Sequence, residues 1–166
     1  AYGIYVLAKG IDTDNYDAFY ADYNTGKAFM HSHTYSGNPL ACSAANAVLD
    51  ILEDGTVLKR AQENAIYFNN IIKEKFLSHP NVGEVRHIGL INAIELVRDK
   101  QSKKPFDSKF RTGYQIYKKA LMEGVILRPL GDVIYFNPPL IMERKDMDFA
   151  TDIALKCLNE ILPATK

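Results

Sequence analysis

The hydrophobic period changes at Asn81-Val82-Gly83, and that switch restricts the chain to a layer of helices on a small sheet. Ahead of it, apolar residues return every three or four positions. Leu40, Ala44, Ala47, Val48 and Ile51 predict one helix, with Asn38 as N-cap, Pro39 in the first helical position and a stop before Gly55. Thr56 can cap a second helix through Val57, Leu58, Ala61, Ala65, Phe68, Ile72 and Phe76, ending before Pro80.

Behind the switch the runs are short. Val85 and the phrase from Leu90 to Val97 read as strands broken at Gly89, followed by a charged loop from Arg98 to Pro105. Asp107 or Ser108 can start a third helix with Tyr114, Tyr117, Leu121 and Met122 inward, closed by Gly124. Strands are expected at Val125 to Leu127 and Val133 to Phe136. A last amphipathic helix follows from about Glu143 to Leu162, with Phe149, Ile153, Leu155, Leu158 and Ile161 as its apolar residues. Links this brief leave no room for parallel crossovers, so the strands must pair antiparallel. The expected class is α+β, a small antiparallel sheet covered by helices on one face. Upstream the signals are weaker: a short strand at Ile4 to Leu7, a helical turn from Thr13 or Asp14 to Tyr23, and a turn at Asn24-Thr25-Gly26.

Composition removes several function classes. In 166 residues, 47% are hydrophobic and 24% charged, enough apolar material for one core. Twenty basic against twenty acidic residues leave no basic excess for nucleic acid. No apolar run approaches the ~18 residues of a membrane span. Cys42 and Cys157 sit in helical patterns without a CxxC partner, which favours a reducing cytoplasm over a disulfide scaffold. Ala1 has no methionine before it and opens an apolar phrase, so the chain is expected to be a piece of something longer.

Two phrases carry polar chemistry. The first runs from Phe29 to Pro39 and holds His31, Ser32, His33, Thr34, Tyr35 and Ser36 just before a helix start. A metal would need a third ligand that the neighbourhood does not offer. A serine nucleophile would need an elbow such as GxSxG. Hydroxyls and backbone amides ahead of a helix suit an anion, or they simply cap a loop. The second phrase is Arg128-Pro129-Leu130-Gly131-Asp132. Its arginine, at the edge of an apolar run, is either a carboxylate clamp or a strand-end residue paired with Asp132 or solvent.

Four phrases in order then resemble one family. Thr34 to Ala45 (T-Y-S-G-N-P-L-A-C-S-A-A) is similar to the T-x-x-G-N-P-L-A-C-A-A-A stretch of class III aminotransferases. Asp17 to Tyr20 with Gly26 to His31, Gly89 to Leu96, and Arg128 to Gly131 with Ile134 to Pro139 resemble the branch of that family that acts in biotin synthesis. The resemblance implies the C-terminal portion of a fold-type I enzyme that uses pyridoxal 5'-phosphate. It would move an amino group from S-adenosylmethionine to 8-amino-7-oxononanoate in a cytoplasmic homodimer, with no metal, nucleic acid or membrane partner. Another class III ω-amino-acid transaminase, or a non-catalytic dimerisation module, is the alternative. It implies a large-domain remnant and active-site loop over 1–36, linking helices over 37–79 and a small α+β domain over 80–166.

Residue by residue, Thr34 matches the threonine that binds the cofactor phosphate across the dimer. His33 would contribute its backbone. Ser32 matches the small residue near the substrate, and Arg128 the arginine on the keto substrate's carboxylate. Leu7-Ala8-Lys9-Gly10-Ile11 superficially resembles the phrase of the Schiff-base lysine. Tyr2 to Asn15, however, aligns better with the stretch that follows it, which puts that lysine before Ala1 and leaves the chain inactive by itself.

Overall fold

The computed structural model describes residues 21–22, 25–27 and 37–162. The chain divides after Gly55 into two compact units, a boundary that falls between the two helices expected as linkers. The strand expected at Ile4 to Leu7 and the helical turn expected from Thr13 lie outside the described residues.

The first unit contributes α1, Pro39–Glu53. Asn38 caps it, its Oδ1 accepting from the amides of Leu40 and Ala41 at 3.1 Å each, and Pro39 occupies the first turn where a missing N–H costs nothing. The helix is apolar nearly all the way round, and none of its residues is buried. The expected inner face is therefore open: Leu40 is 83% exposed and Ile51 62%.

The second unit runs from Thr56 and holds the core. Helix α2, Thr56–Phe76, buries Ala61, Asn64, Ala65, Phe68, Ile72 and Phe76, one stripe at three- and four-residue spacing. A hairpin follows: β1, Val82–Ile88, pairs antiparallel with β2, Ile91–Leu96, through the two-residue loop Gly89-Leu90. Gly89 has φ +54, and a glycine with positive φ at the first loop position is the signature of a type II′ turn. Strands β3, Arg128–Leu130, and β4, Val133–Phe136, form a second hairpin of the same kind around Gly131-Asp132, with Gly131 at φ +60. The sheet order is β1-β2-β4-β3, antiparallel throughout. Helices α3, Thr112–Met122, and α4, Arg144–Ile161, complete the unit.

One face of the sheet meets the three helices. Ile94, Leu96, Ile134 and Phe136 point into a core with Phe68, Ile72, Ile116, Ala120, Met147, Ala154 and Leu158. Phe68 meets Phe136 edge to face, with centroids 5.5 Å apart. Helices α2 and α4 are also joined by polar contacts: Tyr67 Oη donates to Asp148, and Lys75 Nζ to Thr151 and Asp152.

Four expectations are corrected. The strand expected at Val125 to Leu127 does not pair; the ladder begins at Arg128. The amide of Val125 is taken by Ala120 O at the end of α3, so the chain crosses the core edge with Val125 and Leu127 buried before it can enter the sheet. Pro129 then sits within β3, which is tolerated because β3 is an edge strand and needs no donor on its outer side. The inner face of α3 is also rotated. Tyr114, Leu121 and Met122 are exposed and Tyr117 is half-buried, while Thr112, Gly113, Ile116 and Ala120 are buried. Close approach of α3 to the β3–β4 turn selects small residues there. Asp107 caps only a 3-10 turn, Ser108–Phe110, and Arg111 in the left-handed region (φ 48) separates it from α3. In α4, Phe149 is 52% exposed; Met147, Ala150, Ala154, Cys157 and Leu158 are buried in the core, and Ile153, Leu155 and Ile161 pack against it half-buried, as expected.

His79 ties the end of α2 to the rest. It is buried, and its Nδ1 accepts from the amide of Asn81 at 3.0 Å. Burial first, and the Lys100 charge after it, push the imidazole below its ordinary pKa of 6.5, and its Nε2 is buried with no hydrogen-bond partner. Above pH 7 both folded and unfolded forms are neutral at this site, and His79 adds no pH dependence. As the pH falls through 6.5 the unfolded chain takes up a proton that the folded chain resists, so stability drops toward pH 5, by at most about 1.4 kcal/mol per pH unit from this residue. Urea unfolding at pH 7 and pH 5 should show the drop, and His79→Gln should flatten it. An equal drop in the variant removes His79 as its source.

Candidate active site

The polar phrase before α1 splits at Gly37. Ser32, His33 and Thr34 lie outside the described residues, as do His31 and Lys9. What the described part shows is how α1 begins. Gly37 turns the chain at φ +76, and the side chain of Asn38 takes two of the helix's free amides while its carbonyl accepts from Cys42 at 2.9 Å. The unpaired amides that favour an anion at a helix start are thus already engaged at Leu40 and Ala41. An anion in this phrase must rely on the hydroxyls and main chain ahead of Gly37, assisted by the positive end of the helix dipole.

The second phrase is fully described. Arg128 opens β3 on the sheet face turned away from the helices and is exposed. The register places it opposite Tyr135, which stands opposite Ala93, which stands opposite Arg86. One row thus crosses all four strands with an arginine at each end. The Arg128 guanidinium lies 5.8 Å from the centroid of the Tyr135 ring, within cation–π range.

The pairing with Asp132 that the sequence left open does not occur. Asp132 sits half-buried in the β3–β4 turn, its carbonyl accepting from the Leu96 amide at 2.8 Å. Burial pushes its carboxyl pKa up, against a hydrogen bond from the Phe106 backbone amide. Among the described residues no carboxylate pairs with Arg128. Glu84 and Glu95 are on the same sheet face, directly opposite each other in register, and both are held by Arg86, at 3.0 Å to Glu84 Oε2 and in direct contact with Glu95 Oε2. Glu95 first and Glu84 second strengthen the proton affinity of the Arg86 guanidinium.

A groove of about 600 Å³ between the start of α3 and the β3–β4 turn is lined by Phe106, Arg111, Tyr114, Pro129 and Asp132 among others; Arg128 does not line it. No group of three His, Cys, Asp or Glu side chains with metal-site geometry occurs among the described residues, and no described helix is long and apolar enough to cross a membrane.

Sequence reasoning missed Tyr135 and Arg86. Tyr135 had one signal: between Ile134 and Phe136, both buried, it is the residue with a polar tip that the period-two alternation turns to the other face. Arg86 had none before the register was known.

Residues 4–158 match the aminotransferase class-III family. The chain belongs to that family. Among its relatives, this class III aminotransferase chain is 39% identical to the adenosylmethionine-8-amino-7-oxononanoate aminotransferase of Geobacter sulfurreducens, over 96% of its own length and 35% of that protein's. A thermostable (S)-enantioselective omega-transaminase from Thermomicrobium roseum superposes with a TM-score of 0.78 at 32% identity, over 94% of this chain and 36% of that one. A PLP-bound aminotransferase mutant from Vibrio fluvialis does so with a TM-score of 0.73 at 32% identity, over 83% and 30%. The chain spans about a third of the length of these proteins. Its helices and four-stranded antiparallel sheet match the corresponding parts of the transaminase structures, as the α+β expectation required.

Proposed function

We propose that the protein carrying this chain is a pyridoxal-phosphate-dependent aminotransferase that moves an amino group from S-adenosylmethionine to 8-amino-7-oxononanoate, a step of biotin synthesis. Arg128 carries the reading. Its exposed guanidinium rests over an aromatic ring with no carboxylate of the described chain upon it, the state a clamp for a substrate carboxylate requires. The relative from Geobacter sulfurreducens, named for this reaction, supports the choice of substrate. Residues 1–36 would close the large domain and supply the active-site loop, 37–79 would link, and 80–166 would form the small domain of a cytoplasmic homodimer. The 166-residue chain by itself is expected to be inactive.

The cofactor supplies the electron sink. Thr34 would hold its phosphate by the hydroxyl and His33 by the main chain, with Ser32 beside the substrate. The start of α1 supports this arrangement only through its dipole, which favours an anion five residues after Thr34; the amides of Leu40 and Ala41 are engaged by Asn38, so the phosphate would depend on Thr34 and His33. A hydroxyl on a phosphate dianion is worth roughly 1.5–3 kcal/mol, so Thr34→Ala should weaken cofactor affinity about tenfold to a hundredfold. Titration of the mutant apoprotein checks this, and an unchanged affinity removes Thr34 from the site.

The second reading is a transaminase of ω-amino acids, favoured by the likeness to the Thermomicrobium roseum enzyme. Assay of the complete protein separates the two. Turnover of 8-amino-7-oxononanoate with S-adenosylmethionine is expected. Turnover of ω-amino acids with pyruvate, without activity on 8-amino-7-oxononanoate, would overturn the first reading. No turnover on either pair would leave a binding or dimerisation module.

A further inference from the structure

The sheet face that carries Arg128 holds two acids and two bases on its strands: Glu84 and Arg86 on β1, Glu95 on β2, and Arg128 on β3. Their pairing is lopsided. Arg86 holds both glutamates, and Arg128 holds neither. Two like charges directly opposite each other on neighbouring strands, as Glu84 and Glu95 are, repel unless a cation lies between them.

The register shows what either acid can reach. Glu95 stands opposite Val133, and Val133 opposite Leu130, two residues along β3 from Arg128. Two strand spacings across and two residues along put the Cα atoms of Glu95 and Arg128 about 12 Å apart. An extended arginine and an extended glutamate can close that gap. Glu84, one strand further, cannot. Glu95 is therefore the acid on this face able to occupy Arg128 once it loses its present partner.

We propose that Arg86 is a positioning residue for the clamp: by engaging Glu95 it keeps Arg128 free for the carboxylate of the substrate. The proposal rests on the reading of Arg128 as that clamp. An internal glutamate competes with the substrate without touching the reacting atoms, so its effect falls on KM and leaves kcat in place. A half-exposed pair is weak, and the expected rise in KM is correspondingly modest, about threefold to fivefold.

The experiment uses the complete protein with its cofactor and four variants: Arg128→Ala, Arg86→Gln, Arg86→Lys, and Arg86→Gln combined with Glu95→Gln. Arg86→Gln should raise the KM for 8-amino-7-oxononanoate by about threefold to fivefold with kcat unchanged, and removing Glu95 as well should bring KM back. Arg86→Lys keeps a charge on Glu95 and should stay near the original value. A second readout needs no turnover. The rate at which phenylglyoxal modifies Arg128, followed by peptide mass spectrometry, should fall in Arg86→Gln and recover in the double variant. A double variant as poor as the single one, or a KM and modification rate untouched by Arg86→Gln, overturns the proposal while Arg128→Ala still raises KM. If Arg128→Ala leaves KM unchanged, the clamp reading itself falls, and this proposal with it.

Discussion

Replacing Arg128 by alanine in the complete protein is expected to raise the KM for 8-amino-7-oxononanoate by about 10²-fold. The magnitude follows from the charge-assisted bonds lost, about 2–3 kcal/mol when a guanidinium no longer meets a carboxylate. The direction follows from where the residue stands. Pro129 fixes the backbone directly after it, the edge position of β3 leaves one side without a neighbouring strand, and the Tyr135 ring supports the guanidinium. Because no described carboxylate holds Arg128, alanine breaks no ion pair of the fold, and stability should change by less than about 0.5 kcal/mol. Loss of substrate affinity without loss of stability is the pattern that separates a clamp from an ordinary strand residue. Arg128→Lys should recover only part of the affinity, since an ammonium cannot make a two-pronged contact. A KM for Arg128→Ala within twofold of the original would return Arg128 to the solvent-exposed arginines.

Local chemistry explains what was legible in the sequence. Asn38-Pro39, Gly55 and the strand break at Gly89 each act within a few residues, and each marks a boundary that the structure keeps. The stripe of α2 was legible from Ala61 onward because a long helix repeats its signal. The face of α3 was not. Tyr114, Leu121 and Met122 look like core residues, but the helix lies so near the β3–β4 turn that Gly113 and Ala120 face inward instead. The shift from a strand at Val125 to one at Arg128 has the same origin, a tertiary demand on Val125 and Leu127 that alternation cannot express. The site divides in the same way. Arg128 could be chosen from its phrase, whereas Tyr135, Arg86 and Glu95 join it only through strand register, a property of the sheet as a whole.

The second large effect is expected at Gly113, where two opposing terms must be weighed. Gly113 is the second residue of α3. Helix propensity alone favours Gly113→Ala, by up to about 1 kcal/mol. Packing opposes it. A Cβ at this position would lie 2.4 Å from the carbonyl oxygen of Gly131 and 3.5 Å from Ile134 Cγ2. The first of these is main chain and cannot rotate away. Nor can the turn retreat, because the carbonyl of its next residue, Asp132, accepts the Leu96 amide at 2.8 Å and ties the hairpin to β2. Overpacking against a fixed backbone costs about 3 kcal/mol, so the clash outweighs the propensity gain, and Gly113→Ala should lose about 2 kcal/mol overall. Gly124→Ala is the control. Gly124 has φ +87 with nothing near its missing Cβ, so only backbone strain acts there, at about 1 kcal/mol. Urea unfolding should show a lower midpoint for Gly113→Ala at an unchanged slope, and a smaller fall for Gly124→Ala. The function should follow the hairpin: Arg128 lies on the strand that enters this turn, so a displaced Gly131 raises the KM for the keto acid in the complete protein although Gly113 faces the opposite side of the sheet. A Gly113→Ala variant as stable as the original would mean that α3 and the turn are not in contact as described, and the link between the helix and the clamp would be lost with it.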